Sequence, residues 1–390
     1  MIIGVPLESY PCEQRVALVP DHIATLSKTG MEVHLQQGAG TKAGFSDSEY
    51  QNQGAQLVDS RERLLDSSDL LLQVRGYGAN PEAGQVDLES FHAGQILVGF
   101  HNPLDSPSTA KELADKKLTV LALELLPRIT RAQSMDALTS MATISGYKGA
   151  LLAAGTLNKM YPLMMTAAGT IKPARVLVLG AGVAGLQAAA TSNRLGAIVQ
   201  AYDIRPAVKE QVESLGIKFL ELDIETKETE GSEGYARSMN DEFYQRQQSL
   251  MAEAVSESDV VITTAAVPGK KSPILITKNM IQEMRPGSVI VDLAAEGGGN
   301  CELTDPGKTI ETHGIHILGP LNIASSLPQH ASQMYSHNIT SFVQNLCKEN
   351  QINLDLEDQI IEQTLLCHQG EVTNSRVLEL LDFCSETAEK

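Results

Sequence analysis

Two α/β domains, each a parallel sheet covered by helices and the second inserted in the first, are predicted for this chain of 390 residues. Three observations point there. Short β-branched runs alternate with helical patterns from the first residues onward, as crossover connections between parallel strands require. The alternation stops near position 139 in an Ala-, Gly- and Leu-rich stretch with few charges, and then starts again. The length exceeds what one hydrophobic core commonly serves, while 42% apolar and 20% charged residues are an ordinary globular composition.

Strand-like segments fall at 2–5, 32–35, 70–74, 96–100 and 119–122, separated by segments such as 21–29 that carry apolar residues at helical spacing. Residues 139–158 read as a long, tightly packed helix leading into the second domain. Six further strand candidates follow within 175–180, 197–203, 218–223, 259–266, 288–294 and 314–319, enough for a doubly wound sheet. Residues 225–249 are charged and Gly-punctuated and read as an exposed loop leading into a helix. The remainder, 328–345 and a helical acidic tail, is too short for a core of its own and is expected to fold back on the first domain. The division is therefore 1–138 plus 328–390, and 139–327.

Composition excludes several functions. With 48 acidic against 30 basic residues the net charge is −18, which opposes coating nucleic acid or anionic lipid. Aromatic residues make up 4% and Trp is absent, so base-stacking platforms are scarce. The five cysteines form no CxxC or Cys/His ligand spacing and read as reduced thiols, with no metal site. The N-terminal MIIGVPLES lacks a basic leader, and the most apolar stretch, 150–169, is broken by Asn158, Lys159 and Pro162. That is short of the ~20 unbroken apolar residues of a membrane span. A soluble cytoplasmic chain with no direct membrane insertion is the expectation.

The motif that carries chemistry is RVLVLGAGVAGLQAA, which places Gly180, Gly182 and Gly185 between an apolar strand and an Ala-rich helix. Gly180 suits the tight turn, Gly182 lets backbone N–H groups approach a pyrophosphate, and Gly185 allows close helix–strand contact. The helix start supplies partial positive charge. Asp203 closes the next strand candidate about 20 residues on, where a carboxylate can accept from the adenosine ribose hydroxyls. That favours NAD(H). Arg205 is positioned to accommodate a 2′-phosphate instead, but Asp203 would repel that group. The fingerprint makes the fold Rossmann-like.

PRITRAQSMDAL at 127–138, GSEGYARSMNDEF at 231–243 and VDLAAEGGGNCE at 291–302 add a resemblance that runs from residue 4 to the LLCHQGEV tail. The chain is similar to the NAD(H)-binding components of proton-translocating NAD(P) transhydrogenases, a family itself similar to alanine dehydrogenase. The resemblance implies that Arg128, Gln133 and Asp136 lie nearest hydride transfer. Arg128 and Asp136 would orient one another and the nicotinamide carboxamide, and Gln133, both donor and acceptor, would bridge to a second nucleotide. Thr139 stands where the family has Ser, with its hydroxyl kept and its rotamers restricted.

Residues 231–243 resemble a mobile loop closing over NAD(H), with Gly231 and Gly234 as freely turning positions, Tyr235 as anchor, and Gln247, beside a competing Gln248, as a nucleotide contact. Ala181, Val183, Ile204 and Ala265 complete the expected cofactor contacts. The implied reaction is direct hydride transfer from NADH to the NADP(H) cofactor in its oxidised form on a partner beta subunit. A small transmembrane alpha subunit, a homodimer and a peripheral place on the cytoplasmic face of the inner membrane are implied as well.

Alanine dehydrogenase is the rival reading, since Arg15, Arg75 and His101 fall where that enzyme has a substrate-binding Arg, a Lys and a catalytic His. Arg75 in place of Lys and Glu296 in place of a catalytic Asp weaken it. His101 is expected to be a hydrogen-bonded relic. A subunit that senses NAD(H) without turnover is the third reading, opposed by the intact Arg128, Gln133 and Asp136 set.

Overall fold

The structure, a computed structural model, describes residues 1–222, 241–267, 269–348 and 351–388. The chain divides into two compact units, one made of Met1–Met141 and Ser325–Lys390, the other of Ala142–Ala324.

The first unit opens with six strands, β1 (Ile2–Val5), β2 (Glu32–Gln36), β3 (Gln56–Val58), β4 (Leu70–Arg75), β5 (Ile96–Phe100) and β6 (Thr119–Ala122). They pair in parallel in the order β3-β2-β1-β4-β5-β6. The winding direction reverses between β1 and β4, and side chains following those two strands meet at the carboxyl edge of the sheet.

The first strands of the second unit form a hairpin, β7 (Met164–Thr166) and β8 (Gly169–Ile171), whose six residues are all exposed. Its main sheet contains β9 (Arg175–Leu179), β10 (Ile198–Tyr202), β11 (Lys218–Phe219), β12 (Val260–Thr263), β13 (Val289–Asp292), β14 (Thr309–Thr312) and β15 (Ile315–Leu318). The order is β11-β10-β9-β12-β13-β15-β14, parallel throughout except for β14, which is antiparallel to β15. The reversal here falls between β9 and β12. Both units are thus Rossmann-like.

The tail departs from the all-helical expectation. After a short ribbon of β16 (Cys347–Lys348) and β17 (Gln351–Ile352), β18 (Leu365–His368) pairs antiparallel with β6, and β19 (Glu371–Val372) with β18. These strands extend the first sheet, with Gln359–Thr364 and Ser375–Ala388 as the flanking helices. Among the described residues no helix is long and apolar enough to cross a membrane.

Continuous apolar runs build the second sheet because successive side chains point to opposite faces and both faces are covered. Val176, Val178, Val260, Ile262, Val289 and Val291 join one buried cluster. Their neighbours Leu177, Leu179, Val261 and Ile290 join the other, with Met251, Ile281 and Ile317. Each such side chain contributes about 1.5–3 kcal/mol on full burial.

The helix Ala137–Thr156 reaches its neighbours through missing side chains. A Cβ on Gly146 would lie 2.0 Å from the carbonyl oxygen of Ala184, at the start of the Val183–Arg194 helix, and one on Gly149 would lie 2.9 Å from Leu293. Gly155, in the same helix, faces nothing within 4 Å. Gly146→Ala is therefore expected to lower stability by roughly 1–3 kcal/mol through overpacking. Gly155→Ala should raise it by about 0.5–1 kcal/mol through helix propensity. Urea denaturation of the two variants checks both signs.

Candidate functional site

At the end of β9 the glycines of the second unit play three different parts. Gly180 sits at φ 93°, a left-handed conformation that suits glycine, and its carbonyl accepts from the Thr264 hydroxyl at 2.9 Å. A Cβ on Gly185 would lie 1.8 Å from that same carbonyl oxygen, so the helix can start this close to the strand only with glycine there. Gly182 differs. The nearest atom to a Cβ built there is Arg205 Nη2 at 3.8 Å, and no side chain caps the helix that follows. A position approached only by a side-chain tip, beside first-turn N–H groups that no side chain caps, is what a pyrophosphate needs, and the residues present fit a dinucleotide. Ala181 is buried and Val183 half-buried on either side of Gly182.

The Asp203 carboxylate is anchored firmly. Oδ2 accepts from the Ala181 N–H at 2.8 Å and from Arg205 Nη2 at 2.8 Å. Oδ1 accepts from the Arg205 N–H at 2.9 Å and from its Nε at 2.8 Å. Ile204 packs against the second of the two core clusters. Gln247 is buried and its Nε2 donates to the Tyr202 hydroxyl at 2.8 Å, while its Oε1 is buried without a hydrogen-bond partner. Gln248 instead donates to the Ile274 carbonyl. Gly231, Gly234 and Tyr235 lie outside the described residues.

Two supporting residues were missed in the sequence. Asn300, fully buried, accepts from the Ala265 N–H at 2.9 Å and donates through Nδ2 to the carbonyls of Ala265 and Pro273, each at 2.8 Å. One amide thus grips both ends of the segment after β12. Asp292 holds Asn300 in turn, accepting from the N–H groups of Ala294, Asn300 and Cys301 and from the hydroxyls of Thr263 and Thr304. The signal was the VDLAAEGGGNCE motif itself: an Asp ending an apolar strand, followed by Gly298 and Gly299 at positive φ.

In the first unit, residues 127–138 form a short 3₁₀ turn, Thr130–Met135, with Ala132 and Met135 buried and Arg128 and Gln133 exposed. The turn is tied down from both sides. Arg131 forks onto Asp358, holding that carboxyl down to about 2, and Asn338 Nδ2 donates to the Ser134 carbonyl at 2.8 Å. Asp136 accepts from the Thr139 N–H at 2.9 Å and from its hydroxyl at 2.6 Å. Asp136 and Thr139 are brought together as the cap of the Ala137–Thr156 helix.

The carboxyl edge at the β1/β4 reversal gathers a different set. Arg15 forks onto Glu13 at 2.7 and 2.6 Å, both side chains buried, and Arg75 lies over the Tyr10 ring at 4.2 Å. Glu8 accepts from the N–H groups of Val74 and Arg75 and is pushed up to about 7, mainly by burial. His101 corrects the expectation of a hydrogen-bonded relic: burial drives its pKa down to about 4, and neither ring nitrogen has a hydrogen-bond partner. Its ring fills the space a Cβ on Gly76 would need, 2.2 Å away. Glu296, in the second unit, accepts from the Asn322 N–H.

Glu124 also stands at about 7, raised by burial against the pull of the Asn102 and His101 N–H groups and Arg75. Its Oε1 accepts from the Asn102 N–H at 2.5 Å, and its Oε2 is buried without a hydrogen-bond partner. The folded carboxyl keeps its proton up to about 7, whereas an ordinary glutamate titrates at 4.5, so folding takes up a proton between these values. That stabilising contribution is complete below the lower value and is lost as pH rises through the upper one. Glu124→Gln keeps the Asn102 bond and removes the titration. The loss of stability between pH 5 and pH 8 should shrink by on the order of 2 kcal/mol relative to the parent. Equal pH dependence in urea titrations of both proteins would reject the assignment.

Residues 4–145 match the family described as alanine dehydrogenase/PNT, N-terminal domain, and residues 149–375 the corresponding C-terminal domain. NAD(P) transhydrogenase subunit alpha of Haemophilus influenzae is 44% identical over 375 residues, which is 95% of this chain and 71% of that protein. A shorter NAD(P) transhydrogenase subunit alpha polypeptide, from Rhodospirillum rubrum, is 40% identical over 377 residues, 96% of this chain and 98% of that one. The crystal structure of transhydrogenase from Sinorhizobium meliloti superposes with a TM-score of 0.84 at 38% identity, covering 95% of this chain and all of that one (100%). An L-alanine dehydrogenase structure gives 0.82 at 28% identity, covering 98% and 99%. Matched along both domains in sequence and in fold, the chain belongs to the alanine dehydrogenase/PNT family.

Proposed function

We infer that the chain is the NAD(H)-binding alpha subunit of a proton-translocating NAD(P) transhydrogenase. The observation that carries the reading is the turn at the end of β9, where Gly182 alone of the three glycines meets no backbone and only the movable Arg205 guanidinium, beside a helix start that no side chain caps. The names of the Haemophilus influenzae and Rhodospirillum rubrum relatives support the choice among nucleotide enzymes.

In this reading Gly180, Ala181, Gly182, Val183 and Gly185 hold the pyrophosphate, Asp203 with Ile204 the adenosine ribose beside Arg205, and Ala265, Gln247, Gly234 and Tyr235 the remainder of the nucleotide. NAD(H), when bound, supplies the hydride, so no side chain need remove a proton. Arg128 orients the carboxamide, the Asp136–Thr139 cap fixes where the loop ends, and the exposed Gln133 reaches the second nucleotide. Catalysis on this chain is positioning.

NADP(H) is the co-substrate, held by the partner beta subunit. A small transmembrane alpha subunit completes the complex, and proton passage gates the reaction. The chain would lie peripherally on the cytoplasmic face of the inner membrane through these partners.

A homodimer is part of the proposal. A lone two-stranded hairpin is marginal in water, and β7–β8 exposes Met164, Met165 and Ile171, with Met165 81% exposed. The same unit carries a groove of about 610 Å³ lined by Leu157, Met160, Tyr161, Pro162 and Leu195. Ridge and groove within one unit suit a two-fold pair in which each copy's hairpin seats in the other's groove. Met165→Asp should convert the dimer to monomer in sedimentation; an unchanged mass would reject this surface.

The central test mixes the purified chain with an NADP(H)-binding beta component and follows reduction of an NAD analogue by NADPH. Rapid transfer is expected. Gln133→Asn should slow it at least roughly tenfold, about 1.4 kcal/mol of barrier, with little change in NADH affinity. Ammonia-dependent reduction of pyruvate by the chain alone, without transfer, would favour the alanine dehydrogenase reading.

A further inference from the structure

An ionised carboxylate offers about four lone-pair positions, and in Asp203 all four are filled. Two are filled by backbone N–H groups, of Ala181 and Arg205, and two by the Arg205 guanidinium. The Asp203 side chain is 5% exposed and that of Arg205 13%. The backbone donors belong to the turn and cannot leave without unmaking it. The guanidinium is on a side chain with several rotatable bonds, and its Nη2 lies 3.8 Å from where a Cβ on Gly182 would be.

We propose that Arg205 is a displaceable cap on Asp203, which the adenosine ribose of NAD(H) must push aside. A vicinal diol brings two O–H donors, the same number as the fork surrenders, so the carboxylate stays satisfied in either state. The exchange is uneven in strength. A forked, charge-assisted pair is stronger than two hydrogen bonds from neutral hydroxyls, so the internal partner competes well. Apparent affinity is then the intrinsic affinity reduced by the fraction of molecules whose cap is open. Arg205 thereby weakens NAD(H) binding and speeds release, which suits a site that must exchange its nucleotide at every turnover. The proposal rests on the dinucleotide reading of this turn and assigns Arg205 a role in affinity and exchange that is opposite to that of a simple ligand.

Arg205→Ala removes the fork and leaves the backbone bond to Asp203, while Arg205→Lys keeps the charge without the fork. NADH fluorescence titration should give dissociation constants that fall in the order parent, Lys variant, Ala variant, the last roughly five- to tenfold tighter than the parent. Stopped-flow displacement should show the gain mainly as slower release. Binding by both variants that equals or falls below the parent's overturns the cap; should the Ala variant fail to fold, the Lys variant decides alone. A parent chain that binds no NADH would instead remove the underlying nucleotide reading.

Discussion

Backbone pressed against backbone at the carboxyl end of β9 is the constraint on which the second unit depends. The Gly180 carbonyl has Gly185 on one side and the Thr264 hydroxyl on another, and Gly146 meets the Ala184 carbonyl one turn away. No side chain fits at these approaches. Strand, helix start and the Ala137–Thr156 helix are held at separations that only glycine permits, which brings first-turn N–H groups to the sheet edge with no side chain capping them. A polar cradle follows from a packing requirement, without a charged residue being spent on it. The Asp292–Asn300 relay repeats the principle on the β12 side, where one buried amide satisfies three backbone groups that a loop would otherwise leave to water.

Two sheets of the same winding carry opposite chemistry at their reversal points. In the second unit the edge is mostly backbone, with the acids Asp203 and Asp292 each held by hydrogen bonds. In the first it is crowded with Glu8, Glu13, Arg15, Arg75, His101 and Glu124, most of them shut away from solvent. Such a cluster persists because charges there are paired or neutralised: Arg15 by Glu13, the glutamates Glu8 and Glu124 by retained protons, His101 by giving its proton up. Fold alone therefore does not say which edge binds a ligand.

The parallel strands were legible because apolar runs buried on both faces leave a strong pattern, and the glycine turn was legible because its spacing has a physical reason. The hairpin β7–β8, the edge strand β14 and the closing strands β18 and β19 were not. Their residues are few and mixed with Thr, Glu and His, so pattern does not separate them from loop or helix. KFLELD read as a full strand, yet among the described residues the strand is Lys218–Phe219. Side-chain roles were the least legible. Asp136 reads equally as a reacting-site acid and as a helix cap, and the cap with Thr139 is visible only in three dimensions. His101 looked like a hydrogen-bonding group because nothing in its neighbours announces burial among backbone and glycine.

The order in which the chain is made gives the C-terminal strands a further importance. Residues 142–324 form a contiguous stretch whose seven-stranded sheet is complete before the tail is translated. The first sheet must wait, its β6 edge unpaired, until β18 emerges some 240 residues later. During that interval the nascent protein carries one finished unit and one open edge, the kind of edge that invites pairing with a neighbour. The ribosome thus builds the inserted half to completion while the half begun first is still waiting to be sealed.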